Sequence, residues 1–203
     1  MFHWLLNNYI EVLGFISSLI CVWLSSRANI WAWFWAVVSS GVSAVFFFQL
    51  RLFGDMNLQF FFIATAIYGW YQWQFGSKVD ERQREEKMPI SYLPKSYYLP
   101  LSFVFIFLFG GVYAGLKALK GDVLFWDTLT TTMSIIATWL AARKYVENWL
   151  VWIAADVIYI VLYFYKDAQL YAILYALFLI LAYIGFGHWK KLMQAASKSE
   201  GSF

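Results

Sequence analysis

Charge is excluded from long stretches of this chain, and those stretches set its architecture. No Asp, Glu, Lys or Arg occurs from Ala28 to Leu50, from Asn57 to Gly76 or from Ser96 to Leu116. A helix needs about 20 apolar residues at 1.5 Å each to cross a bilayer core. The pattern predicts seven spans, at roughly 9–26, 30–50, 56–76, 97–116, 123–142, 148–165 and 168–189. Continuous apolar runs predict helices; a membrane barrel would alternate apolar and polar residues. The expected class is therefore an all-α integral membrane protein with seven transmembrane helices. The first span follows no basic region and lacks a clear small-residue cleavage site, so it reads as a retained helix and not as a cleaved signal.

The first third of the sequence is written again in the last. Trp23-Leu24-Ser25-Ser26-Arg27 returns as Trp139-Leu140-Ala141-Ala142-Arg143, and Gly69-x-x-x-Trp73 returns as Gly185-x-x-x-Trp189, both at a shift of 116 residues. Ser18 falls on Ser134 in this register, and Trp31 falls near Trp149, out by two. Internal repetition of this kind decides architecture before any local reading, and in a membrane protein two related halves usually frame a pathway with a binding site between them. Three spans, one spare span and three more give a 3+1+3 arrangement. The odd fourth span restores the starting side, so the repeats are parallel. The expected organisation is a first three-helix repeat over 1–76, a cytoplasmic linker over 77–96 carrying Pro89 and Pro94, and a linker transmembrane helix over 97–121. A second three-helix repeat follows over 122–190, then a cytoplasmic tail over 191–203, disordered from Gln194 onward.

Composition agrees. The chain is 62% hydrophobic, 23% aromatic and 13% charged, against about 45–50% apolar and about 25% charged in soluble domains. With the N-terminus outside, eleven of the fifteen Lys and Arg fall on inner segments: Arg27; Lys78, Arg82, Arg84, Lys87 and Lys95; Arg143 and Lys144; Lys190, Lys191 and Lys198. This bias predicts N-out and C-in. The formal charge of +3 then reflects topology, and nucleic acid is not an expected partner. The lone Cys21 reads as a small core residue. No phosphate loop, zinc motif or cysteine cluster is present, so neither ATP hydrolysis by that route nor a cofactor is expected. No lysine lies inside a span to carry retinal.

Candidate chemistry concentrates in the sixth span. Asp156 sits at its middle, where a charge costs about 2.5–3.5 kcal/mol to insert. Such a residue faces a cavity or a partner, so it reads either as a substrate or ion contact or as a structural hydrogen-bonding group. Trp149, Trp152, Asp156, Tyr159 and Tyr163 follow at spacings of 3, 4, 3 and 4 and share one helical face. Aromatic rings beside a carboxylate suit a flat organic cation; the alternative is an interfacial aromatic belt, which fits Trp149 and Tyr163 better than Trp152 and Tyr159. Asp127, Thr131, Ser134 and Thr138 form a second polar stripe on the fifth span, facing a cavity or serving as interhelix hydrogen-bond groups. Gln59 shares a face of the third span with Ala66, Trp70 and Trp73. Its buried amide needs a partner in protein or substrate.

Leu58-Gln59-Phe60-Phe61-Phe62, Ile67-Tyr68-Gly69-Trp70-Tyr71-x-Trp73, Phe125-Trp126-Asp127 and Arg143-Lys144-Tyr145-Val146-Glu147-Asn148-Trp149-Leu150-x-Trp152 resemble the PnuC family of bacterial vitamin transporters, over about residues 10–190. The resemblance implies a 3+1+3 fold similar to the sugar-transporting SWEET proteins, in the bacterial inner membrane. It implies facilitated diffusion of nicotinamide riboside by alternating access, with trapping by a cytoplasmic vitamin kinase. Thiamine and, more distantly, riboflavin are substrates of related members. It places binding residues at Gln59, Asn148, Trp149, Trp152 and position 156, where Asp156 stands in place of the Asn expected in riboside carriers and so favours thiamine as the alternative. Tyr159, Thr131 and Ser134 join them from the helical faces above. A homo-oligomer is compatible with these features. A scaffold or receptor without transport is the reading from another class, and a membrane enzyme lacks any convergent acid, base and nucleophile.

Overall fold

The computed structural model describes residues 9–49, 53–76, 88–118, 123–165, 167 and 169–200. The fold is all-helical. The helices are α1 (Tyr9–Ser26), α2 (Trp31–Gln49), α3 (Phe53–Phe75), α4 (Tyr98–Ala118), α5 (Leu124–Ala142), α6 (Asn148–Tyr165) and α7 (Gln169–Glu200), with a 3-10 turn at Lys95–Tyr97 before α4. Among the described residues, three segments are long and apolar enough by themselves to cross a membrane: Lys95–Ala118, Asn148–Tyr165 and Tyr171–Ala196. Val12–Ser26 and Trp31–Phe46 are shorter apolar helices.

The first six helices begin and end within three residues of the expected spans. The seventh does not: it continues to Glu200, through the stretch from Gln194 expected to be disordered. Leu192, Met193, Gln194, Ala195 and Ala196 are strong helix formers, and no Gly or Pro intervenes before Gly201. Polarity there ends the membrane span without ending the helix.

The chain forms two compact units, Met1–Met88 and Pro89–Phe203. Within the first, α1 packs on α2 and α2 on α3; within the second, α4 packs on α5, α5 on α6 and α6 on α7. The linker expected over 77–96 is only partly described. From Pro89 onward it is part of the second unit: Ser91 bridges Tyr145, and Leu93 is buried with Ile136 and Leu140.

One construction occurs in both units. α1 ends with Ala28 in the left-handed region at φ 52°, and α5 ends with Lys144 at φ 54°. The Ala28 N–H donates to the Ser25 carbonyl (2.9 Å) and the Asn29 N–H to the Leu24 carbonyl (3.0 Å). At the second turn the Lys144 N–H donates to Ala141 (3.0 Å) and the Tyr145 N–H to Leu140 (2.9 Å). Both are Schellman caps, and every atom pair is displaced by 116 residues. The following helix then delivers a tryptophan from its first turn. Trp33 lies against Gly69, where a Cβ would meet the indole at 2.5 Å, and Trp149 lies against Gly185, where the distance is 2.7 Å. Trp33 meets Trp73 edge-to-face at 5.5 Å and 87°; Trp149 meets Trp189 at 5.6 Å and 89°. Trp149 is therefore the counterpart of Trp33, not of Trp31. The Gly-x-x-x-Trp repeat is a packing device: glycine admits the indole and the tryptophan one turn on closes over it.

The two turns are finished differently. Asn29 caps α2 through its side chain, accepting the Trp31 N–H at 3.0 Å. Tyr145 at the matching position has no such oxygen. There the Val146 N–H donates to the Ser91 carbonyl (3.0 Å), and the Ser91 N–H donates to the Lys144 carbonyl (3.2 Å). The Leu93 N–H donates to the Glu147 carboxylate at 2.9 Å. An extended strap replaces the missing cap.

Candidate functional site

The α5–α6 turn and helix α6 carry most of the unexplained polarity. Five buried side-chain polar atoms among the described residues lack a hydrogen-bond partner: Trp33 Nε1, Arg143 Nε, Asn148 Oδ1, Trp149 Nε1 and Asp156 Oδ1. Four of the five lie between residues 143 and 156. Buried polar groups in proteins are almost always paired, so such a concentration asks for a partner the protein alone does not supply.

Asn148, Trp152, Asp156, Tyr159 and Tyr163 follow at spacings of 4, 4, 3 and 4 and share one stripe of α6. Asn148 is 1% exposed. Its amide donates to the Tyr145 carbonyl at 2.7 Å, which fixes the side chain and turns Oδ1 away unused. Asp156 is 2% exposed. Trp152 is half-buried between them. Trp149 stands off this stripe, locked on Gly185 and Trp189, so its packing role is explicit.

Tyr159 is half-buried and its hydroxyl lies 3.4 Å from Ser134 Oγ. Its ring stacks on Tyr175 at 4.3 Å and 25°. Tyr163 stacks on Tyr175 and on Tyr171, both at 5.3 Å. Four near-parallel rings thus alternate between α6 and α7, the offset arrangement aromatic faces favour. Tyr171 and Tyr175 carry a signal that was available in the sequence, two tyrosines one turn apart at the start of the last span.

Helix α5 is polar beyond the stripe expected. Its buried hydroxyls are Thr128, Thr130, Thr132 and Ser134. Thr131, like Asp127 and Thr138, is only half-buried. Thr128, Thr130, Thr132, Ser134 and Thr138 each donate to the carbonyl four residues back, at 2.6–2.9 Å. Their donors are consumed within the helix, a common arrangement for Ser and Thr, and Ser134 Oγ in addition lies against the Tyr159 hydroxyl of α6. Gln59, in the first unit, is half-buried on α3. Cys21 is a half-buried free thiol.

A family profile described as Nicotinamide mononucleotide transporter matches residues 8–191. The chain belongs to the nicotinamide mononucleotide transporter family. Among relatives, it is 30% identical to the nicotinamide riboside transporter PnuC of Escherichia coli, over 90% of this chain and 85% of that protein. It is 25% identical to the riboflavin/roseoflavin transporter RibM of Streptomyces davaonensis, over 88% of this chain and 83% of that one. The fold matches the crystal structure of the vitamin B3 transporter PnuC with a TM-score of 0.75 at 20% identity, covering 96% of this chain and 86% of that chain. Members of this transporter family are carriers and not enzymes. The protein is a multi-pass vitamin transporter of the bacterial inner membrane.

Proposed function

We propose that this chain carries nicotinamide riboside across the membrane by facilitated diffusion. The observation that carries the reading is the α6 stripe, a buried carboxylate oxygen without a partner flanked by aromatic rings and an unused amide oxygen. A carboxylate held in apolar surroundings is strongly disfavoured alone and favoured with a cation beside it. The pyridinium ring of the riboside supplies that cation, and its flat face suits Trp152 and Tyr159. The ribose hydroxyls and the carboxamide supply donors for Asp156 Oδ1 and Asn148 Oδ1.

Ser134 and Thr131 on α5 complete the contact set in this proposal. Trp149 acts through the packing that sets the height and rotation of α6. Transport proceeds by alternating access in a 3+1+3 arrangement of parallel repeats, with the N-terminus outside and the C-terminus in the cytoplasm. A cytoplasmic kinase traps the product by phosphorylation. The matched turn and tryptophan packing of α1–α3 and α5–α7 support the repeat; the distribution of Lys and Arg supports the orientation.

Asp156 favours one second reading, thiamine, whose aminopyrimidine donates to a carboxylate and whose thiazolium is also a ring cation. The test is uptake of labelled nicotinamide riboside and of labelled thiamine into proteoliposomes with no imposed ion gradient. Saturable riboside uptake that exchanges against internal riboside is the expected result. Exchange of thiamine alone would reassign the substrate, and no exchange of either would leave a non-transporting receptor.

A further inference from the structure

The second unit carries a groove on a different side of α6 from the Asp156 stripe. It is lined by Ile153 of α6 and by Leu179, Ile180, Tyr183 and Ile184 of α7. Its volume is about 280 Å³, below the range of about 300–1,000 Å³ usual for pockets that enclose small organic molecules. Only Tyr183 brings a polar atom to the lining. Such walls suit a hydrocarbon chain and not a vitamin.

What lies beyond the groove narrows the occupant. Ile180, Ile184, Gly187 and Lys191 follow at spacings of 4, 3 and 4 and form one line along α7. At Gly187 a Cβ would meet nothing within 4 Å, so the line stays open between groove and lysine. From Ile184 to Lys191 is about 10.5 Å along the helix axis. Lys190 flanks the same line, its ammonium 5.1 Å from the centre of the Phe186 ring. Aliphatic walls, an open step and two adjacent cations form the outline of a lipid with an acidic headgroup.

We propose that this groove seats one acyl chain of an anionic phospholipid whose phosphate is held by Lys190 and Lys191. The lipid lies along the α6–α7 seam at the end where Trp149 meets Trp189, and bears on the packing that positions α6.

The test is native mass spectrometry of the full-length protein in detergent with added dioleoylphosphatidylglycerol or dioleoylphosphatidylcholine. The wild type is expected to retain one phosphatidylglycerol per chain with at least fivefold preference over phosphatidylcholine. The double variant Lys190→Gln and Lys191→Gln is expected to lose that preference while binding phosphatidylcholine as before. Gly187→Phe, which closes the step, is expected to reduce retention of both lipids. Equal retention of the two lipids by the wild type would overturn the proposal. So would a preference that survives in both variants, or displacement of the lipid by inorganic phosphate, which would mark a free-anion site.

Discussion

The two three-helix segments of this molecule, α1–α3 and α5–α7, share a device and differ in chemistry. The Schellman caps at Ala28 and Lys144, the indoles of Trp33 and Trp149, the glycines at 69 and 185 and the tryptophans at 73 and 189 are all related by 116 residues. At the same displacement the carboxylate of Asp156 replaces the hydroxyl of Ser40, itself buried. The stacked tyrosines 159, 163, 171 and 175 replace Ser43, Phe47, Asp55 and Gln59. What both segments keep is geometry, needed to pack a turn and two helices. Among the described residues, a buried acid and a wall of stacked tyrosines are found in the second segment. Features a fold requires recur in both copies; the chemistry proposed for the substrate is confined to one.

The largest expected effect tests the shared device. Gly185→Val and Gly69→Val each drive a branched side chain into an indole that packing holds in place. Overpacking of a filled site costs about 1–3 kcal/mol or more. Both variants should lose uptake and most of their yield of monodisperse protein, and a milder Gly185→Ala should recover when combined with Trp149→Phe. Tolerance of the valine at one glycine and not the other, read by thermal unfolding, would show that the two latches are not equivalent.

The next effect tests the difference. Removing a charged hydrogen-bond partner costs about 1.5–3 kcal/mol, or roughly 10- to 100-fold in an equilibrium constant. Asp156→Ala should raise the KM for riboside exchange by that factor, and Ser40→Ala should leave it within about twofold. Tyr163→Leu comes third: each aromatic pair contributes about 0.5–1.5 kcal/mol beyond burial, so losing the ring should lower the melting temperature by a few degrees, while Tyr163→Phe keeps the stack and should stay near wild type. The smallest effect is at the caps. A left-handed residue other than glycine costs about 1–2 kcal/mol, so Ala28→Gly should raise the melting temperature slightly. Lys144→Gly should gain less, because the buried Lys144 side chain is lost with it.

Much of the fold was legible because membrane spans are written in charge exclusion, a pattern that needs no partner to be read. The repeat was legible for the same reason: Trp, Gly and Arg at fixed offsets are rare enough to align by eye. The Trp33 to Trp149 correspondence was missed because Trp31 and Trp35 crowd the same stretch, and only burial singles out the packed indole from an exposed and a half-buried neighbour. Trp33 is 7% exposed and Trp31 54%. Asp156 announced itself by depth in an apolar span. Of the α5 stripe, Ser134 is buried beside Tyr159, while the burial of Thr128, Thr130 and Thr132 could not be read, since three successive threonines are equally polar in sequence and only the packed neighbours α4 and α6 decide which are covered. The strap through Ser91 and Leu93 could not be read at all, because Ser91 pairs with the distant backbone of Lys144 and Val146 and the only side-chain signature is Glu147, 54 residues from Leu93.

The most direct measurement is a calorimetric titration of the purified protein with nicotinamide riboside, for the wild type, Asp156→Ala and Ser40→Ala. One saturable site per chain is expected in the wild type and in Ser40→Ala, with affinity at least tenfold weaker in Asp156→Ala. No binding to the wild type, or equal loss in the two variants, would contradict the assignment of substrate chemistry to the second unit.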